Sequence, residues 1–192
     1  KILRYVAGSI GNSNPEGRKK LEKQEMSLLK PGSRESVDLA ISTSRRLKSE
    51  KAPTAELIAS MATAANLAVT GQNPKAVELL LELAAKEAGD NQTSKAIAHA
   101  EEALTIYSAS KQYSSIVNMI SSSGQSIAQT LYKNGHPAQA EALIKKALAI
   151  DSTAGSDKKH VTISSTASLA SYYFNVGETK KAESLVNDLF DK

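Results

Sequence analysis

The chain has 192 residues, is 41% hydrophobic and 23% charged, and contains no cysteine, no tryptophan, 6 tyrosines and 2 phenylalanines. That composition excludes chain-wide disorder, a disulfide framework, a thiolate metal site and a cysteine nucleophile, and its abundance of Ala, Ser and Leu favours closely packed helices over sheets. The net charge of +4 is uneven, residues 1 to 52 holding 12 Lys and Arg against 6 Asp and Glu, and residues 53 to 192 holding 12 against 14.

Residues 1–14 are broken by Gly8, Gly11 and Asn12-Ser13-Asn14 and read as a lead-in or linker; residues 15–192 read as a single helical domain. The opening at Lys1, with no signal-peptide pattern after it, reads as a piece of a longer protein, and the compartment stays unassigned. Asn14 as N-cap and Pro15 in the first turn open a helix to about Leu29, stopped by Pro31-Gly32. Ser33 or Ser36 opens the next, with Val37, Ala40, Ile41 and Leu47 at helical spacing. Pro53 and Thr54 start a third, apolar on most sides up to Gly71 and too short to span a bilayer. Asn73-Pro74 starts a fourth that closes at Gly89-Asp90-Asn91, and a fifth runs from Thr93 through Tyr107.

Residues 112–134 are helical in pattern but interrupted by Ser121-Ser122-Ser123-Gly124, which leaves one kinked helix or two short ones. Asn134-Gly135 stops it, Pro137 restarts the chain, and Ala140, Leu143, Ile144, Ala147 and Leu148 form an apolar stripe. After a long loop, 152–159, come helices over Val161–Val176 and Thr179–Phe190, nine in all. The last stripe, Ala182, Leu185, Val186, Leu189 and Phe190, has to be buried on a neighbour, since each larger side chain contributes roughly 1.5–3 kcal/mol on burial.

The two hairpins that turn at Gly135 and Gly177 share their punctuation. Leu169, Ala170, Tyr173, Gly177 and Ala182 stand at the large, small, aromatic, turn and small positions of one; Ile127, Ala128, Leu131, Gly135 and Ala140 hold the same offsets in the other. This pattern resembles the tetratricopeptide (TPR) repeat, and the 42-residue spacing is similar to that of kinesin-light-chain-like repeats. Weaker matches use Ala64, Leu67, Gly71, Ala76 and Leu80, and then Tyr107 and Tyr113 at the aromatic positions, with Leu104 where a small residue is expected. The registers conflict, because the last match makes 112–134 a second helix of its hairpin while Gly135 makes it a first.

The resemblance implies an all-α fold, a right-handed α-α superhelix of stacked antiparallel helical hairpins, a TPR-like solenoid of about nine helices. It also implies a non-catalytic protein-protein interaction scaffold that holds a peptide or partner subunit on a concave face lined by first helices. Carried over by position, that face offers Ile58, Met61, Ala65, Ala68 and Val69 early on. Later it offers Ser122, Gln125, Gln129, Tyr132 and Lys133, then Ser164, Ala167, Ser171, Phe174 and Asn175. The candidate binding residues are Gln125, Gln129, Tyr132, Lys133, Ser171, Phe174 and Asn175: amides and hydroxyls for a peptide backbone, with Tyr132 and Phe174 as aromatic anchors. A clamp for a C-terminal carboxylate needs several cationic or amide donors together, and Met61 and Ala65 stand where its Lys and Asn belong.

Nothing in the sequence has the spacing of a catalytic or metal site. His99, His136 and His160 are scattered, His136 reading as a turn residue and His99 as a helix-surface one. Residues 11–18 fail as a phosphate loop because Glu16 and Arg18 replace its glycine and lysine, and Asn91-Gln92-Thr93 fits a glycosylation sequon or a helix start equally. No cofactor or metal is expected. The alternative function is a basic helical module over residues 18–51, whose patch of Arg18, Lys19, Lys20, Arg45, Arg46 and Lys48 would attach to nucleic acid or an anionic surface. Interleaved glutamates make nucleic acid the lesser expectation; a protein or peptide partner comes first, with self-association through the terminal helices as a further one.

Overall fold

The computed structural model describes residues 14–109, 117–154 and 158–190. All regular structure among them is helical, in nine helices: α1 (Pro15–Leu28), α2 (Arg34–Ser49), α3 (Thr54–Thr70), α4 (Ala76–Gly89), α5 (Thr93–Ala109), α6 (Val117–Lys133), α7 (Pro137–Ala154), α8 (Lys158–Asn175) and α9 (Thr179–Phe190). The expected boundaries hold within a few residues, with one clear change: helix occupies 152–154 and 158–159, so the connection expected over 152–159 is much shorter. The lead-in up to residue 13, the start of the 112–134 segment and Tyr113 lie outside the described residues.

Local chemistry accounts for the helix starts. The Asn14 side chain accepts from Gly17 N at 2.8 Å, and Ser33 Oγ accepts from Ser36 N at 3.3 Å, each satisfying a donor that a first turn leaves without a partner. Five helix ends share one stop. At Lys51, Gln72, Asn91, Gly135 and Gly177 the chain enters the left-handed region, with φ between 48° and 85°. Each of these residues donates its N–H three residues back, and the next residue donates five back, as in Gly135 to Tyr132 O and His136 to Leu131 O, the paired bonds that close a helix with an αL residue.

The chain packs as two units, Lys1–Leu79 and Leu80–Lys192. In the first, α2 packs on α3 and α1 on α2 around Val37, Ala40, Ile41, Ala64, Ala68 and Ala76. Small residues let the backbones come close: a Cβ on Gly71 would overlap the carbonyl oxygen of Gly32, and one on Gly32 would lie 2.8 Å from Gly71 N. In the second unit α6 packs on α7 and α8 on α9, while α6 also meets α8 and α5 meets α7. Like helices thus stack on like, first on first and second on second, which is how repeated hairpins build one continuous core. Leu80, Leu83, Leu104, Ile127, Leu131 and Ile144 fill it, each at most 2% exposed.

This stacking settles the conflicting registers. Because α5 packs on α7 and Lys146 reaches back to Glu101 at 3.0 Å, α5 is a second helix, so the reading that made Tyr107 part of a first helix does not hold. The Ala64, Leu67 and Gly71 match is displaced by one residue, since the left-handed position is Gln72. Seven residues before it stands Ala65, in the place of Ala128 and Ala170. Ile58, Ala65 and Ala68, expected on an open concave face, are buried.

The Ser121–Gly124 run turns out to lie inside one unbroken helix. Gly124 is buried where α6 meets α7, and a Cβ there would lie 2.9 Å from the Cβ of Ala147. The feature that looked like an interruption is a point of close helix approach, where the packing gained offsets the low helix propensity of glycine.

Candidate protein-binding face

The seven residues expected to bind a partner lie on α6 and α8, which the hairpin stack sets side by side. Gln125 donates from Nε2 to Ser171 Oγ at 3.3 Å, joining the two helices across their shared face. Gln129 is half-buried; Lys133, Ser171 and Asn175 are exposed. Tyr132 is half-buried and its hydroxyl donates to Glu178 Oε1 at 3.1 Å, a hydrogen bond that raises its pKa. Phe174 remains open, 68% exposed.

Phe174 also belongs to a second feature. With Ala167, Ala170 and Ser171 of α8, and Ala182 and Val186 of α9, it lines an apolar groove of about 750 Å³ on the last hairpin.

Around Tyr132 lies an acid, base and aromatic junction that the sequence pattern did not reveal. Glu141 on α7 accepts from Lys145 Nζ at 2.6 Å, and its carboxyl is held down at about 2 by that bond, by a hydrogen bond from Tyr173 and by Lys181. Lys181 lies 3.4 Å from Glu141, 3.9 Å from Glu178 and 5.2 Å from the centre of the Tyr173 ring. Burial pushes Tyr173 up to about 12, aided by its bond to Glu141, and pushes the neighbouring Tyr172 ring to about 12 as well. These groups are turned toward one another across α7, α8 and α9. They clamp one hairpin to the next.

His99 and Glu87, the second of which the sequence did not single out, form a polar contact at the core's edge. His99, expected at the helix surface, is half-buried, and its Nδ1 lies 2.7 Å from Glu87 Oε2, whose side chain is only 2% exposed. Glu87 stands four residues before its left-handed turn residue, and His99 eight after it; the same positions in the next hairpin are Leu131 and Leu143. Counting from Asn91 also puts Leu83, Ala84 and Ala96 at the large, small and small positions, so α4 and α5 carry the repeat pattern that the sequence reading missed. The signal was there, but hidden under an Asn turn and a Glu at the aromatic position.

The basic patch is divided. Arg46 pairs with Glu22 at 2.7 Å and Glu50 at 2.6 Å, Arg18 with Glu50 at 3.1 Å, and Lys19 with Glu56 at 3.0 Å. Lys20, Arg45 and Lys48 are exposed. Lys19, Glu22, Lys23, Met26, Arg46 and Glu56 rim a cavity of about 230 Å³ among α1, α2 and α3. No group of three or more His, Cys, Asp or Glu with metal-binding geometry occurs among the described residues, and no helix among them is long and apolar enough to cross a membrane.

The hairpin stack defines the class: an all-α helical repeat whose second unit piles first helices on first and second on second. Within that class the fold is TPR-like. Two solved structures of a Podosopora anserina kinesin-light-chain-like protein with nearly identical TPR-like repeats match 98% of this chain and 92% of theirs at 16% identity. The TM-scores are 0.57 for one and 0.56 for the other, which carries a single substitution to methionine. No family model matches the chain, and no curated protein does. At 16% identity the likeness shows the fold.

Proposed function

We propose that the chain is a non-catalytic scaffold that binds an extended peptide, or an extended segment of a partner subunit, along the face shared by α6 and α8. One observation carries this reading: the Gln125 to Ser171 bond across the two helices, which makes their polar residues one strip with exposed Phe174 at its edge. Amide and hydroxyl groups in such a strip can exchange hydrogen bonds with a peptide backbone, and an aromatic edge supplies contact area. Gln129, Lys133 and Asn175 are the residues that contact the guest. Tyr132 supports the strip by its bond to Glu178. Attachment to nucleic acid through residues 18–51 is weakened by the ion pairs that already engage Arg18, Lys19 and Arg46.

A peptide-display library panned on the whole chain tests this. Selected peptides should lose at least about tenfold in affinity on a Gln129→Ala/Asn175→Ala variant of unchanged melting temperature, and should change little between low and high salt, since amide and apolar contacts are poorly screened. Peptides that bind the variant equally well would place the site elsewhere.

A further inference from the structure

The cavity of about 230 Å³ among α1, α2 and α3 lies wholly within the first unit and presents polar groups that the fold itself does not use. Its floor is apolar: Ala40 and Leu47 of α2 are buried, and Met26 of α1 is half-buried beside them. Two ion pairs brace its mouth, Lys19 to Glu56 between α1 and α3 at 3.0 Å, and Arg46 to Glu22 between α2 and α1 at 2.7 Å. Those four charges are spent on one another. Lys23, Thr43 and Ser60 also line the cavity, and none of the three has an ion-pair or hydrogen-bond partner among the described residues. The two hydroxyls stand out, because a helical Ser or Thr ordinarily donates back to a carbonyl of its own helix. Ser42 does so to Leu39 at 2.8 Å, Ser44 to Ile41 at 2.9 Å and Thr63 to Ala59 at 3.0 Å; Thr43 and Ser60 do not. Residues 1–13 contain no Asp or Glu, so the lead-in offers Lys23 no carboxylate.

We propose that this cavity binds a small monoanion with an apolar body, a short aryl or alkyl carboxylate. Its carboxylate meets the Lys23 ammonium and the Thr43 and Ser60 hydroxyls, and its body lies on Met26, Ala40 and Leu47. An apolar floor with a few convergent donors is the general make-up of a small-molecule site, and an ionised acceptor makes the stronger hydrogen bonds. The head carries a single charge, because Glu22 and Glu56 on the same rim repel a second. The volume sets the body. An engineered cavity of about 150 Å³ holds benzene, so this one takes a ring with a short acid chain. The site is independent of the peptide strip on α6 and α8.

The probe is hydrocinnamate, titrated into the full chain and followed by amide-resolved NMR, with its neutral amide and phenyl phosphate as comparisons. Hydrocinnamate should bind saturably with a Kd at or below about 1 mM, shifting resonances of α1, α2 and α3. The amide should bind at least fivefold more weakly, and phenyl phosphate no more tightly than hydrocinnamate. Lys23→Met keeps an apolar stem and removes the charge; it should weaken hydrocinnamate at least fivefold at unchanged melting temperature, since Lys23 is exposed and pairs with nothing in the fold. Thr43→Val should weaken it severalfold, whereas Lys20→Met, on the same helix as Lys23 but outside the cavity, should leave it unchanged. Absence of saturable binding, an amide as tight as the acid, or insensitivity to both Lys23→Met and Thr43→Val would each overturn the proposal. Tighter binding of phenyl phosphate would overturn the assignment to a monoanion, and shifts gathered on α6 and α8 would overturn the location.

Discussion

Replacing the Glu87 and His99 pair by the leucines that the next hairpin uses should separate what the pair costs from what it contributes. The Glu87 side chain is 2% exposed, and its contact with His99, 2.7 Å long, links α4 to α5. His99→Leu removes that partner and strands a carboxylate in the core, so it should cost about 3–5 kcal/mol, the usual penalty for breaking a buried polar pair from one side. Glu87→Leu is milder, about 1 kcal/mol or less, because His99 is 23% exposed and its imidazole can turn to water. The double change reproduces the Leu131 and Leu143 arrangement, both residues at most 3% exposed, so the hairpin geometry accepts two leucines at these positions. It should fall within about 1 kcal/mol of the parent chain or exceed its stability. Urea unfolding of the four proteins, followed by circular dichroism, gives the cycle. A His99→Leu variant as stable as the parent, or a double variant no better than His99→Leu alone, would refute this account of the site.

Gln72→Gly should stabilise the first unit by about 1 kcal/mol, since Gln72 holds φ 48° at a cost glycine avoids, and Gly135→Ala should cost about as much; urea midpoints give both signs. Gly71→Ala should destabilise by about 2 kcal/mol or more as its methyl meets Gly32, whereas Gly89→Ala, with nothing within 4 Å, should gain up to about 1 kcal/mol from helix propensity. Acid should loosen the last two hairpins. The Glu141 carboxyl sits at about 2 instead of 4.5, so its contribution is complete above the unfolded value and is lost as the pH falls toward 2. The full shift corresponds to about 3 kcal/mol, but the carboxylate is 30% exposed and its lysines more so, which leaves about 1 kcal/mol after screening. Glu141→Gln should therefore flatten the fall in urea midpoint between about pH 5 and pH 2, and an unchanged slope would count against the junction.

The helices were legible because each is written in local chemistry. Asn14 with Pro15, Ser33 and Pro137 mark starts, and apolar spacing marks the faces. The turns of the two hairpins at Gly135 and Gly177, and the repeat positions around them, could be read, for there the left-handed stop carries the residue best suited to it. At Lys51 and Gln72 the same stop is held by residues that merely tolerate it, so composition did not announce it, and at Asn91 the helix end was legible from Gly89-Asp90-Asn91 but not its place in the repeat. That is why the Gly71 register slipped by one residue and the repeat register of α4 and α5 went unread.

For the binding face, the sequence supplied the positions on α6 and α8 but not their engagements. Which side chain is spent on a neighbouring hairpin depends on residues about one repeat away: Gln125 on Ser171, Tyr132 on Glu178, Asn134 on the Ala88 carbonyl. Gly124 makes the same point, a poor helix former until Ala147 is brought against it. Sequence alone determined an all-helical chain of amphipathic segments, because capping and periodicity act within a few residues of each position. The stacking of like helices, the buried Glu87 contact and the open groove at Phe174 and Val186 were decided only in three dimensions, because each depends on which distant surface arrives to exclude water.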